Sequence, residues 1–376
     1  MKLSPRLSSH LHAALAPFKR RTLEVRAAAS LTWQRAGVRI PIVQHRRPLP
    51  SAPSCIVIHK RDGAIRTIEA DLDWLQTRHG FSTCWRRMAA VFAPISDASI
   101  DDGTWTADLG DWVHLDGPVI GFCSNRPGSL LIPDRGFHGT AGYRMERRRA
   151  SAAPAFDDRD PAIVWRGSPS GPGACNAEPF VPDNPALLQR TRMCLLLRGA
   201  TGGGSAAVDA KIIGSRRLSP AAAATYASAG ILGTPIPQPS WCRRRFAIDV
   251  DGWANAFSNL FVRLIYGCCV IKVASSLGYR QWYYARLEPW RHYVPAAADL
   301  SDLRETIAWC HAHSRRCREI AAEGQRVAWS MTPETERDVS LNSLRAVQAA
   351  DDHVPASIPL VHSRGDVGRG LDRRAA

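Results

Sequence analysis

With 376 residues, 45% of them hydrophobic and twelve of them Trp, the chain is long enough for two separate cores and too apolar to be disordered. Its formal net charge of +15 and pI of about 9.8 favour anionic partners, either an anionic membrane surface or phosphorylated sugars. No RNP, zinc-finger or helix-turn-helix signature accompanies that charge, which sets nucleic acid aside, and no apolar run is long enough to span a bilayer.

The first 50 residues are basic and punctuated by proline, with one amphipathic helix expected near Leu7–Leu15. Pro5, His10, His12 and Pro17 interrupt any apolar core there, so no secretory signal is read. Ten cysteines lack metal-ligand spacing and read as reduced structural thiols. Together these features lead to the expectation of a cytoplasmic protein whose basic surface rests peripherally on the inner membrane.

Ser54–His59 reads as a strand, Ile68–Arg78 as a helix with Leu72 and Leu75 inward, and Val119–Cys123 and Leu130–Ile132 as further strands. Pro133-Asp134-Arg135-Gly136-Phe137 has the composition of a loop after a strand, and residues 140–160 that of an interdomain linker. Ala162–Trp165 is the next strand and runs into Arg166-Gly167-Ser168-Pro169-Ser170-Gly171. There the glycines admit a close backbone approach, and Ser168 with backbone N–H groups suits phosphate oxygens. Met193–Leu197 and Val208–Ile213 read as strands, with Arg190 and Arg192 as exposed charges before the first; Ala221–Ala229 reads as a helix.

The stretch Phe246–Trp329 organises the rest. Phe246–Val250 is a buried strand ending at Asp251-Gly252, and Asn255 is expected to cap a helix carrying Phe257, Leu260, Phe261, Leu264 and Ile265. Gly267 stops that helix and Cys268–Val273 is the next buried strand, with Lys272 at its end. Strand, helix and strand in about thirty residues form the parallel crossover unit, whose ligands bind beyond the carboxyl ends of the strands. Asp299–Ala312 and Ser314–Ser330 read as helices, and the segment from Pro333 as a polar tail, disordered towards its end.

The order IDVDG, NAF..LF.RL, G..VIKV, QWYY.RL.PW.HYVP and DLSDL resembles glycosyltransferase family 90, which includes bacterial lipopolysaccharide and capsule transferases and the eukaryotic protein O-glucosyltransferases. The likeness is dense over Phe246–Trp329 and continues, more thinly, back to about Ser99. It implies an α/β, GT-B-type fold: two Rossmann-like domains facing across a cleft, with an acceptor-side domain over 1–155, a nucleotide-sugar domain over 156–332 and a tail over 333–376.

It further implies an inverting, metal-independent transferase that moves a sugar from a nucleotide sugar of the UDP-glucose or UDP-xylose type to a saccharide or lipid-linked saccharide hydroxyl in lipopolysaccharide or capsule synthesis, with no cofactor beyond the UDP-sugar co-substrate. Asp111, before Trp112, matches the family's general base, with Asp108 and Asp102 as competitors, since Asp also commonly caps turns. Arg166, Gly167, Ser168, Gly171, Asp251, Asn255, Phe257, Arg263 and Lys272 match positions around the nucleotide sugar, and Asp134 and Phe137 the acceptor pocket.

Asp249-Val250-Asp251 has the D-x-D form that holds a divalent metal in another transferase class, but no cluster of oxygen ligands accompanies it. Departures also stand out: Trp253-Ala254 where relatives usually carry Asn-Thr, and Asn259 where eukaryotic relatives carry an arginine, with Arg263 one turn further on. They keep open a second reading, a non-catalytic scaffold in surface-polysaccharide assembly.

Overall fold

The computed structural model describes residues 30–35, 38–45, 52–199, 207–214 and 218–351. The helix expected at Leu7–Leu15 and the chain end beyond Asp351 lie outside the described residues.

Two sheets organise the molecule. The first has the order β1-β2-β4-β3-β5-β6-β8, formed by β1 (Ser30–Arg35), β2 (Val38–Gln44), β3 (Cys55–Arg61), β4 (Ala64–Ala70), β5 (Gly103–Asp108), β6 (Ile120–Gly121) and β8 (Leu130–Leu131). It is mixed: β1/β2, β3/β4 and β3/β5 pair antiparallel and the rest parallel. The second sheet has the order β10-β9-β11-β12-β14, formed by β9 (Asp160–Gly167), β10 (Val208–Ile212), β11 (Arg244–Asp249), β12 (Cys269–Val273) and β14 (Val294–Ala296), and its pairings are all parallel. A short antiparallel pair, β7 (Cys123–Ser124) with β13 (Arg280–Gln281), joins the two halves of the chain.

The second half follows the expected crossover. Every residue of β12 is buried, as a parallel strand covered on both faces requires. The Ser258–Ile265 helix between β11 and β12 buries Leu260, Phe261, Val262, Leu264 and Ile265. The first half departs from the Rossmann-like expectation. Asp62 and Gly63, with φ of 51° and 71°, form a two-residue turn that folds β4 back along β3. Residues 68–70 therefore belong to a strand, and the helix expected over Ile68–Arg78 shrinks to Leu72–Gln76, capped by Asp71 and burying Leu72 and Leu75.

Three more expectations are corrected. Gln189–Leu196 is a helix, not the strand read at Met193–Leu197; Arg190, Thr191, Met193, Cys194 and Leu195 are its buried residues. The linker at 140–160 contains the Arg144–Ser151 helix. The segment from Pro333 is a helix to Asp351 that returns to the first half of the chain, where Leu341 and Leu344 enter the core around Ile56, Ile58 and Phe92. Glu336, 2% exposed, accepts two 2.7 Å hydrogen bonds from Arg286 of the second half. Among the described residues no helix is long and apolar enough to cross a membrane.

Arg147 binds the carbonyls of Gly142, Ala328, Trp329 and Met331 at 2.7–3.0 Å, which satisfies the carboxyl end of the Ser314–Ser330 helix. Arg147→Ala is expected to cost about 2 kcal/mol, since hydrogen bonds to a charged group are lost and carbonyls orphaned, as read by urea unfolding.

Candidate active site

β9 and β11 end side by side, and the loops beyond them form one wall of a cleft of about 370 Å³. Its lining joins Trp165, Arg166, Gly167, Ser168 and Ser170 after β9 with Val250, Gly252 and the run Trp253–Phe257 after β11, plus Arg190, Asn259 and, from the first half of the chain, Asp111. Of the residues picked out from sequence, Asp111, Arg166, Gly167, Ser168, Asn255 and Phe257 thus line one cavity.

Arg190 is the residue that sequence reasoning misjudged. It is 8% exposed rather than a surface charge. Its guanidinium donates to the carbonyls of Asp251 (2.8 Å), Val250 (3.0 Å) and Ser168 (3.1 Å) and to Ser170 Oγ (2.8 Å), so one cation stitches the two loops together. Burial pulls its pKa below the ordinary guanidinium value. Gly252 is required beneath it: a Cβ there would lie 2.8 Å from Ser170 Oγ and 3.2 Å from Arg190 Nη2. Gly171, at φ 135°, packs against the same Gly252 from behind the cleft lining. Arg166 lines the cleft but its donors are engaged, by the Asp209 carboxylate (2.5 Å) and carbonyl (2.7 Å) and by the carbonyls of Trp165 and Thr234.

The three acidic candidates for a base separate cleanly. Asp108, 1% exposed, accepts from Ser54 Oγ (2.6 Å), Gly110 N (2.8 Å) and His114 N (2.9 Å), with His114 Nδ1 at 2.7 Å; it builds the loop and stays outside the cleft lining. Burial pushes its pKa up, but the hydrogen bonds from His114, Ser54 and Gly110 outweigh burial and hold the carboxyl below its ordinary value of 3.8. A depressed folded pKa contributes stability that is present above the unfolded value and lost as the pH falls through the folded one. Asp108→Asn is therefore expected to flatten the acid limb of a stability–pH curve below pH about 3.8, measured by urea titration. Asp102 accepts the N–H groups of Asp62 and Gly63 and serves the hairpin. Asp111 alone faces the cleft, its side chain 49% exposed and paired with Arg87 Nη2 at 2.7 Å.

Asn255 does not cap the helix. The helix begins at Ser258, after Phe257 at φ 45° and ψ −114°, a conformation costing on the order of 1–3 kcal/mol for a residue with a side chain. Asn255 instead donates to Asp251 (3.2 Å) and to Tyr279 O (3.1 Å) and accepts from Cys123 Sγ (3.0 Å), which fixes the loop from behind.

The D-x-D carboxylates are turned inward. Asp249 Oδ2 pairs with Lys272 Nζ at 3.0 Å, Asp249 Oδ1 accepts from Asn259 at 2.7 Å, and Asp251 lies 3.8 Å from the same lysine. Burial lowers the Lys272 pKa, but the Asp249 and Asp251 carboxylates outweigh it and hold the ammonium above its ordinary value. Burial raises that of Asp251. Lys272 is thus a buried counter-ion outside the cleft lining, and Asn259 anchors Asp249.

Arg263, 5% exposed, stacks 3.7 Å from the Trp241 ring centroid and meets Gln238; it lies outside the cleft lining. Asp134 caps the Arg135–Gly139 helix, and Phe137 packs against Phe261 and Trp282 while lining a second cavity with Ile132, Pro133 and Pro333. Neither lines the first cavity.

Fold and cleft together define a mixed α/β protein in which loops of a parallel sheet meet a carboxylate supplied by the other half of the chain. Residues 229–334 match the model of glycosyl transferase family 90. It is 37% identical over 84 residues to protein O-glucosyltransferase 2 of Danio rerio (22% of this chain, 16% of the relative). It is 35% identical over 95 residues to uncharacterized protein 179R of Invertebrate iridescent virus 6 (24% and 8%), and 28% identical over 226 residues to uncharacterized protein 027R of Frog virus 3 (55% and 22%). The chain therefore spans less than a quarter of the length of each of these relatives. A crystal structure of Anabaena Alr3699/HepE with UDP and glucose aligns with 56% of this chain and 52% of its own at 9% identity, with a TM-score of 0.33, too loose a likeness to carry an argument.

Proposed function

We propose that the chain is an inverting glycosyltransferase that moves a hexose or pentose from a UDP-sugar to a saccharide hydroxyl without a metal ion. The observation that carries this reading is the meeting of Asp111 with Arg190 and Ser168 in one cleft. Asp111 would take the acceptor hydroxyl proton as that oxygen attacks the anomeric carbon and the bond to the diphosphate oxygen breaks. Arg190, the N–H groups of the Ser168–Ser170 loop and the start of the Ser258–Ile265 helix would stabilise the UDP that leaves. The Lys272 and Asn259 contacts of Asp249 favour the metal-free form, because that carboxylate is already neutralised from within.

In this reading residues 1–155 are the acceptor side and 156–332 the donor side of a GT-B-like pair, with 333–351 clasping the two. The likeness to protein O-glucosyltransferases favours UDP-glucose as donor. The net charge of +15 favours an anionic lipid-linked saccharide of lipopolysaccharide or capsule synthesis, met at the cytoplasmic face of a membrane. The test is UDP release from a panel of UDP-sugars in the presence of EDTA. Release with one donor that survives EDTA is expected. Loss with EDTA would return Asp249 and Asp251 as metal ligands, and no binding of UDP at all would overturn the site.

A further inference from the structure

Arg87, the second of the Arg86-Arg87 pair, precedes the Met88–Ile95 helix on the first half of the chain. Its side chain is 17% exposed and aims its donors at three oxygens of one short loop: Nη1 to the carbonyls of Leu109 (2.8 Å) and Gly110 (2.5 Å), Nη2 to Asp111 Oδ1 (2.7 Å). The guanidinium carbon also lies 5.2 Å from the ring centroid of Phe257 and 6.0 Å from that of Phe122. Phe257 belongs to the loop after β11, yet its ring packs against the core of the first half of the chain, and its backbone sits at φ 45°.

We infer that Arg87 is the positioning residue of Asp111, and that Phe257, by stacking on the same guanidinium, makes the loop after β11 part of that clasp. The inference rests on the reading of Asp111 as the base and adds what sets its geometry. A half-exposed aspartate on a loop samples several rotamers; a planar fork holding its carboxylate and the two preceding carbonyls leaves one. The Asp108 hydrogen bonds to Gly110 N and His114 N hold the same loop from its other side, so removing Arg87 frees the carboxylate without unfolding the segment. Phe257 couples the two walls. When the loop after β11 takes its strained form, the aromatic face meets Arg87, and the base and the donor loop are set together.

The experiment combines kinetics and amide exchange on Arg87→Ala, Arg87→Lys, Phe257→Leu and the double variant Arg87→Ala/Phe257→Leu. With UDP-glucose as donor and water as acceptor, Arg87→Ala is expected to lower kcat about 10- to 100-fold while leaving the Kd for UDP within about twofold, because the base is misplaced while Phe257, still packed against the core of the first half, keeps the donor loop in place. Millimolar guanidinium should restore part of the rate, whereas Arg87→Lys, a point charge that cannot span three oxygens, should stay near the alanine level. The double variant should lose less than the product of the single losses.

Amide exchange at 109–114 should rise in Arg87→Ala while that of β3 stays unchanged. A kcat within about twofold of native, or a loss confined to UDP affinity, overturns the positioning role. Unchanged exchange at 109–114 overturns the clasp whether or not the protein turns over. Native protein that binds no UDP would defeat the transferase reading alone, since exchange still decides the clasp.

Discussion

Asp111→Asn is expected to lower the rate of UDP release by about 10²–10⁴-fold, the range lost when a positioned general base is removed. Asparagine keeps an oxygen where Arg87 Nη2 now donates at 2.7 Å, so the loop and its clasp stay in place. Its other atom is an amide that cannot accept the acceptor proton. The variant should therefore bind UDP as the native protein does, melt at the same temperature and fail in turnover. Steady-state UDP release and calorimetric UDP titration on the same preparation read both halves of that expectation. A variant retaining more than about a third of native turnover would remove Asp111 from the mechanism, since a base in the transition state accounts for far more than that. Asp108 is no alternative, being 1% exposed with both its oxygens bonded inside its own loop.

Arg190→Ala is expected to have the largest effect on both stability and binding. Truncation strands the carbonyls of Val250, Asp251 and Ser168 under the loops, and each orphaned buried acceptor costs about 1–3 kcal/mol. A loss of about 3 kcal/mol or more in urea unfolding is expected, with UDP affinity weakened at least about tenfold, because the loops lose their shared anchor and the cleft its buried cation. Arg190→Lys keeps the charge but reaches fewer acceptors, so it should recover part of the affinity and little of the stability. If the alanine variant melts with the native protein and binds UDP equally, the stitching role is wrong. If it is destabilised yet binds UDP fully, Arg190 is structural only.

The readable parts of the fold were those governed by local pattern. β11, β12 and the helix between them announce themselves because both faces of a parallel strand and one face of its helix must be apolar. The misread parts had a competing signal. Ile68–Ala70 could continue a helix, and Asp62-Gly63, a hairpin signature six residues earlier, was the cue that residues 64–70 pair with β3 instead. Met193–Leu197 is apolar enough for a strand, and only its length, extended back through Gln189, favours the helix found there. The 333–351 segment read as a polar tail because its buried apolar residues are sparse, at Leu341 and Leu344. Asn255 looked like a cap because it precedes an apolar helical stretch, but its amide is held by Asp251 and Tyr279.

By itself the sequence determined the family segment, the crossover unit at Phe246–Val273 and the loops after β9 and β11, because each depends on neighbours within a few dozen residues. Tertiary structure decided which carboxylate and which arginine line the cleft. Asp111 and Asp108 are three residues apart with similar neighbours, and only the contacts made by Ser54 and His114 bury one while Arg87 presents the other. Arg190 and Arg192 are equally two residues apart, and the helix turns the first under Asp251 and the second towards Pro182. Side-chain direction and a partner up to 61 residues away set burial and pairing, and no local pattern encodes either.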